Sequence, residues 1–202
     1  MTGRFVVIEG GEGAGKSSLV ATLKSRLPYT YVFTREPGGT DAAEELRNTI
    51  VAKRAAPLDV LTQILLFAAA RREHMQKVVL PALARGQHVI CDRFSASTYA
   101  YQVVAGAGAA YKDFFNIVDD LVRAGTEPGL WVFLDIEPAI GLARKSSSGD
   151  VLNAFDEKDL AFHEAVRRGM KEYLAPRRHV VIDASKSKEE VLKEVMTSVS
   201  AL

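Results

Sequence analysis

Five short apolar runs punctuate the chain, most of them without polar alternation: Phe5-Val6-Val7-Ile8, Tyr31-Val32-Phe33, His88-Val89-Ile90-Cys91, Leu130-Trp131-Val132-Phe133-Leu134 and Val180-Val181-Ile182. A strand with one face in water shows period-two alternation, so runs of this kind predict strands covered on both faces, as in a parallel sheet. Between them lie segments with helical spacing. The longest runs from Leu58 to Ala84, where Leu61, Ile64, Leu65, Ala68, Met75, Val78, Val79 and Leu83 recur near the helical period. Pro81 lacks a backbone N–H and is expected to kink or shorten the end of this helix. Near the C-terminus Val191, Leu192, Val195, Met196 and Val199 repeat the pattern. Strands alternating with helices predict an α/β fold: a parallel five-stranded sheet, right-handed crossovers and helices on both faces, a three-layer sandwich. Ligands in such folds gather at the carboxyl ends of the strands.

Composition narrows the classes. A length of 202 residues fits one α/β domain, and 48% hydrophobic with 25% charged residues is the balance of a globular protein. No repeat, low-complexity tract or linker divides residues 1–202. A formal net charge of +1 provides no field for a nucleic-acid backbone or an acidic membrane, so any phosphate binding must come from local clusters. Cys91 is the only cysteine, which excludes an intrachain disulfide and a cysteine-built zinc site. Its apolar neighbours predict a buried, inert thiol. With no signal-like h-region and no apolar stretch near the ~20 residues of a spanning helix, the expectation is a soluble cytoplasmic protein.

The first strand ends in Gly10-Gly11-Glu12-Gly13-Ala14-Gly15-Lys16-Ser17, which fills the G-x-x-x-x-G-K-[ST] pattern of a phosphate-binding loop and specifies a P-loop NTP hydrolase-like fold. Glycines let the backbone wrap a phosphate with its N–H groups, and the following helix offers its positive end. Lys16 can reach the β- and γ-phosphates, and the Ser17 hydroxyl can ligate Mg²⁺. Ser18 is assigned to the same nucleotide site.

Three further segments carry a resemblance. Thr34-Arg35-Glu36-Pro37-Gly38-Gly39-Thr40 follows the second strand. Leu66-Phe67-Ala68-Ala69-Ala70-Arg71 and Glu73-His74 lie on the long helix. Asp92-Arg93-Phe94-Ser95-Ala96-Ser97-Thr98-Tyr99-Ala100-Tyr101-Gln102 follows the third strand. With the phosphate loop, in this order, the chain resembles the thymidylate kinase family, most closely from Phe5 to Gln102 and more loosely through Leu134-Asp135-Ile136-Glu137-Pro138 and Ile182-Asp183-Ala184. The resemblance implies transfer of the γ-phosphate of ATP to dTMP with Mg²⁺, in a homodimer with the long helix and its neighbours at the interface. By the same resemblance, Phe67 is the aromatic on which thymine stacks and Arg71 hydrogen-bonds the base. Arg93 holds the monophosphate, and Asp92 serves the metal and acceptor-phosphate region. Ser97, Thr98 and Gln102 line the base and sugar pocket, and Tyr101 packs beneath the deoxyribose. Glu36 and Pro37 close over the sugar-phosphate, Glu9 is an acidic group near the phosphates, and Arg144 stacks on adenine. The chemistry fits the residues. A phosphate acceptor with a second pKa of about 6 needs no strong general base; the work is charge neutralisation and positioning, suited to Lys16, Arg93 and the loop amides.

Two departures keep alternatives open. The lid expected at about residues 144–156 reads Arg144-Lys145-Ser146-Ser147-Ser148-Gly149-Asp150 and Asn153-Ala154-Phe155-Asp156, poorer in arginine than many bacterial relatives with Glu in the phosphate loop, as Glu12 is here. Val103-Val104-Ala105 replaces the glycine-rich stretch usual after Tyr-Gln. A kinase for dUMP or a 5-modified dUMP, or a nucleotide-binding protein with weak catalysis, are the alternative readings. The four histidines, His74, His88, His163 and His179, show no metal-ligand spacing and read as surface or capping residues. Trp131 reads as core, and the Lys186–Glu194 charges as a solvated helix face.

Overall fold

In the computed structural model, which describes residues 3–147, 155 and 157–202 (the backbone alone at 107–109), each apolar run forms a strand. The strands are β1 (Phe5–Gly10), β2 (Tyr31–Arg35), β3 (His88–Asp92), β4 (Leu130–Asp135) and β5 (His179–Asp183). They form one parallel sheet in the order β2-β3-β1-β4-β5, with Val7 of β1 level with Cys91 on β3 and Trp131 on β4. In β1, β3 and β4 alternate residues enter different cores, which is why Phe5–Ile8, Val89–Cys91 and Leu130–Leu134 contain no polar positions. The edge strand β5 leaves Val181 half-exposed, against the expectation of cover on both faces. Phe5, Val7, Val89, Cys91, Trp131 and Phe133 face one core; Val6, Ile8, Ile90, Leu130, Val132 and Leu134 face the other. Cys91 is buried, and burial foremost pushes its thiol well above the ordinary range.

Helices α1 (Lys16–Arg26) and α9 (Lys188–Ser200) cover the second core through Leu19, Leu23, Val191, Leu192, Val195 and Val199. The first core is covered by α3 (Val60–His74), α6 (Lys112–Arg123) and α8 (Leu160–Leu174). Helix α2 (Asp41–Val51) packs on α3. Asp59 caps α3, its carboxylate accepting the Thr62 N–H at 3.1 Å.

Pro81 does not stop the long helix. A π-helical segment, Met75–Val79, joins α3 to α4 (Leu80–Ala84), and the wider turn, with the Leu80 N–H bonded to the Met75 carbonyl, carries the chain up to the proline. Fully buried Met75 and Val79 fix this turn against the sheet. A second wide segment, Tyr99–Ala107, follows α5 (Ser95–Thr98) and contains Val103-Val104-Ala105. Val103 is in the core, and the Ala100 backbone and Val104 side chain press on Gly169 of α8, where an added Cβ would lie 2.9 Å from the Ala100 Cα. An apolar segment in place of glycines therefore packs on α8. Helix α7 (Pro138–Ser147) follows β4 and includes the first lid residues; residues 148–154 and 156 of the expected lid, including Ser148, Gly149, Asp150, Asn153, Ala154 and Asp156, lie outside the described residues. Among the described residues no helix is long and apolar enough to cross a membrane.

The histidines need a correction. His88 is partly buried and His179 exposed, but His74 and His163 are buried. His74 bonds on both ring nitrogens, to Glu36 and Thr34, so helical position alone did not determine its environment.

Candidate active site

Because β2, β3 and β1 are adjacent and parallel, the three motifs that follow them emerge side by side at one edge of the sheet. There they border a cleft of about 830 Å³, lined also by Phe67 and Arg71 of α3 and Arg144 of α7. Of the residues expected at the nucleotide site, Glu12, Gly13, Ala14, Gly15, Lys16, Ser17, Ser18 and Arg144 line this cleft. Gly15 precedes α1 in the left-handed region, φ 85°. Gly13, φ 67°, faces α7 so closely that a Cβ on it would lie 1.9 Å from the Gly141 carbonyl oxygen. Lys16 Nζ donates to the carbonyls of Gly10 and Gly11 at 2.9 and 2.8 Å. Burial, helped by the charge of Arg93 and opposed by Glu12, Asp92 and Glu9, pushes its pKa down to about 8, which leaves the ammonium mostly charged at neutral pH.

Arg93 adopts φ 69°, a left-handed conformation that costs a non-glycine residue about 1–3 kcal/mol and persists where neighbours over-determine it. Here its N–H donates to the Ile8 carbonyl, and its own carbonyl accepts from the Cys91 thiol. The turn sends the guanidinium across the mouth of the phosphate loop, where it donates to Glu12 Oε1 at 2.7 Å, Ser97 Oγ at 3.2 Å and the Gly10 carbonyl at 3.3 Å. Burial opposes the charge, but Glu12 and the neighbouring acids outweigh it and hold the pKa of Arg93 above its ordinary value. Tyr101 donates its hydroxyl to the same Glu12 oxygen at 2.8 Å, with the guanidinium 5.6 Å over its ring and Phe155 at its edge.

Glu9, expected to be an acidic group near the phosphates, acts on the charges of Lys16 and Arg93 from beneath the cleft surface. It is fully buried and does not line the cleft. Its carboxylate accepts from the N–H groups of Phe94 (2.8 Å) and Ser97 (3.2 Å) and from Ser97 Oγ (2.6 Å), so it ties β1 to the turn that carries Arg93. Burial raises its pKa to about 7, against the opposing effects of Ser97, Arg93 and the Phe94 amide.

Where α3 borders the cleft there is a network of buried charge. Arg71 is 3% exposed, against the exposure expected of an arginine on a solvated helix face. Its Nε donates to Glu36 Oε2 at 2.8 Å, Nη2 to Thr98 Oγ1 at 2.9 Å and Nη1 to Asp119 Oδ1 at 3.3 Å. Burial disfavours its charge, yet Glu36 and Asp119 raise its pKa above the ordinary value. The other Glu36 oxygen pairs with His74 Nδ1 at 2.8 Å, so the Glu36 carboxylate is turned inward, onto Arg71 and His74. Pro37, Phe67, Ser97 and Gln102 line the cleft; Gln102 donates to Gln63 at 3.3 Å, while its buried Oε1 has no hydrogen-bond partner among the described residues.

Two kinds of residue escaped the sequence reading. Arg35 and Arg47 line the cleft, with Arg35 paired to Glu44 and Arg47 donating to the Pro37 carbonyl. Asp119 and His74 support the site from behind. Asp119 did leave a signal: Phe115, Asp119 and Val122 follow helical spacing on the buried face of α6, and an acid among core residues demands partners. On the opposite side Arg144 donates to the carbonyls of Ala184 and Ser185 at 2.7 and 3.2 Å, tying α7 to the loop before α9.

The donor set fits a hard cation shared with substrate phosphates. Asp92 lines the cleft and its Oδ1 is buried without a hydrogen-bond partner among the described residues, while Ser17 brings a hydroxyl to the same cleft. No group of three His, Cys, Asp or Glu among the described residues could hold a metal alone, which is the usual situation for Mg²⁺ bound with a nucleotide.

Residues 8–195 match the family model described as thymidylate kinase. The chain is 41% identical over 206 residues to a thymidylate kinase of Teredinibacter turnerae, covering all of this chain and 99% of the relative. It is 39% identical over 203 residues to one of Bacillus pumilus, covering 97% and 94%. The solved structure of thymidylate kinase from Ehrlichia chaffeensis superposes with a TM-score of 0.77 at 30% identity, over 98% of this chain and 99% of that one. A match of this length, in sequence and in fold, takes in the phosphate loop and every other wall of the cleft: the chain belongs to the thymidylate kinase family.

Proposed function

We propose that this one cleft carries out the family's reaction, transfer of the γ-phosphate of ATP to dTMP to give dTDP and ADP. The observation that carries the reading is the placement of Lys16, Arg93, Asp92, Phe67, Arg71 and Gln102 on the walls of a single cleft. ATP takes the phosphate loop and the side bordered by Arg144. Lys16 exchanges the carbonyls of Gly10 and Gly11 for phosphate oxygens, a charge-assisted contact. The acceptor takes the other end, its phosphate on Arg93 with Arg35 and Arg47 adding positive charge. Its ring lies on Phe67 and is read by Arg71, and the unpartnered Gln102 Oε1 offers an acceptor to a pyrimidine N–H. Tyr101 sits under the sugar, where bulk excludes a 2′-hydroxyl. Ser17 and Asp92 would hold Mg²⁺, which, when bound, neutralises charge on the transferring phosphates. A dianionic acceptor needs no deprotonation, so the inward-facing Glu9 and Glu36 have no proton to take.

Residues 1–202 act as one kinase domain, with Arg144 and Lys145 of the expected lid on the ATP side, in a cytoplasmic setting that supplies both nucleotides. A homodimer fits the surface. Leu65 on α3 is 48% exposed, and Ile117 and Leu121 on the adjacent α6 are 70% and 74% exposed, an apolar area of the kind that a second copy covers. Coupled ADP release across dTMP, dUMP, dCMP and dGMP tests the substrate. We expect the highest kcat/KM with dTMP, and Lys16→Ala to abolish turnover in a folded protein. Equal rates with all four monophosphates would refute the acceptor assignment.

A further inference from the structure

The guanidinium of Arg71 has five N–H donors, and three of them point at Glu36, Thr98 and Asp119. One N–H on each terminal nitrogen is thereby left for a ligand in the cleft that Arg71 lines. The direction of those two donors depends on what holds the other three. Glu36 and Thr98 belong to cleft walls, whereas Asp119 lies on α6, behind the site. Phe94 completes the cradle, its ring 4.9 Å below the guanidinium carbon.

We infer that Asp119 is a positioning residue for Arg71, fixing the plane of its guanidinium so that the two remaining N–H groups meet the acceptor's pyrimidine ring. The inference rests on the assignment of Arg71 to that ring. Asp119 is 3% exposed and accepts four bonds. Arg71 Nη1 at 3.3 Å and Ser95 Oγ reach Oδ1; Arg123 Nε at 3.0 Å and Tyr173 OH at 2.9 Å reach Oδ2. A buried carboxylate with so many donors has one orientation. It also stands between two guanidinium groups, Arg71 and Arg123, that would otherwise lie in the same low-dielectric region with less negative charge between them. Rotation of Arg71 toward Glu36 alone would take Nη1 out of place without removing the arginine.

Asparagine at 119 keeps the volume but leaves a single, uncharged acceptor oxygen, so Arg71 loses its charge-assisted bond whichever way the amide turns, meeting either an NH₂ or a neutral carbonyl oxygen. Steady-state constants are to be measured for wild type, Asp119→Asn, Arg71→Ala and the double variant, with thermal unfolding alongside. Losing a charge-assisted bond predicts a rise of about tenfold in KM for dTMP in Asp119→Asn, with kcat and KM for ATP within about twofold. In the Arg71→Ala background the same change should add nothing to KM for dTMP, because it acts only through Arg71. Tyr173→Phe loosens the other carboxylate oxygen and should lower the unfolding temperature while leaving KM for dTMP unchanged. An unchanged KM in folded Asp119→Asn, a further rise in the Arg71→Ala background, or an equal rise in Tyr173→Phe would each overturn the inference. If Asp119→Asn does not fold, Asp119→Asn with Arg123→Gln removes one charge of each sign and carries the same expectation and the same refuting outcomes. Failure of Arg71→Ala itself to raise KM for dTMP would instead refute the base-reading assignment.

Discussion

Gly141→Ala should damage ATP use far more than stability. Gly141 is on α7, and a Cβ added there would lie 2.2 Å from the Glu12 carbonyl oxygen, with Ile136 at an ordinary 3.4 Å. Oxygen and carbon must then separate by about 1 Å to regain normal contact. The helix is the less yielding side. Ile136 anchors its approach in the core, and Arg144 holds its far end to Ala184 and Ser185. The loop is the softer one, since Gly13 and Gly15 leave it few side-chain anchors. Overpacking costs about 1–3 kcal/mol, but alanine in place of glycine inside a helix returns about 1 kcal/mol, so the net loss should be no more than about 2 kcal/mol. A loop displaced by 1 Å misplaces the donor phosphates, and a misplacement of that size can cost about 100-fold in rate. In the coupled ADP assay kcat/KM for ATP should fall about 10- to 100-fold, with a smaller rise in KM for dTMP, because Arg93 and Tyr101 meet the loop only through the end of the Glu12 side chain. Wild-type kcat/KM for ATP would refute the close approach of loop and helix as a determinant of the site.

Glu9→Gln should change the pH dependence of stability. The folded pKa of Glu9, about 7 against an ordinary 4.5, is raised, so its contribution is fully present below pH 4.5 and lost as pH rises toward 7. Across that window wild type should lose up to roughly 3 kcal/mol relative to the variant, read by urea unfolding, and a constant difference would disprove neutral burial of this acid. Tyr101→Ala should raise kcat/KM for the ribonucleotide of thymine relative to dTMP, because the discrimination is steric; an unchanged ratio would mean that the sugar is read elsewhere.

The sequence by itself determined the sheet and the phosphate loop. A strand buried on both faces carries a run of consecutive apolar residues, so Phe5-Val6-Val7-Ile8 and Leu130–Leu134 were legible as β1 and β4 without knowledge of their neighbours. The loop from Gly10 to Ser17 is equally local, since its glycines, lysine and serine act within eight consecutive residues. Position along the chain also sufficed to bring the three motifs to one edge, because parallel strands align their carboxyl ends. Only the tertiary structure decided the environment of the polar groups. Arg71 meets Glu36 and Asp119 from segments 35 and 48 residues away, and those partners turn an apparently solvated arginine into a buried one. His74 is buried because Glu36 and Thr34 arrive to bond both its nitrogens, and Glu9 is buried because the Phe94–Ser97 turn offers it donors. Apolar burial is written in periodicity, which a strand or helix carries alone. A buried charge is tolerated only where a distant segment delivers its counterpart, and that pairing exists only once the chain has folded.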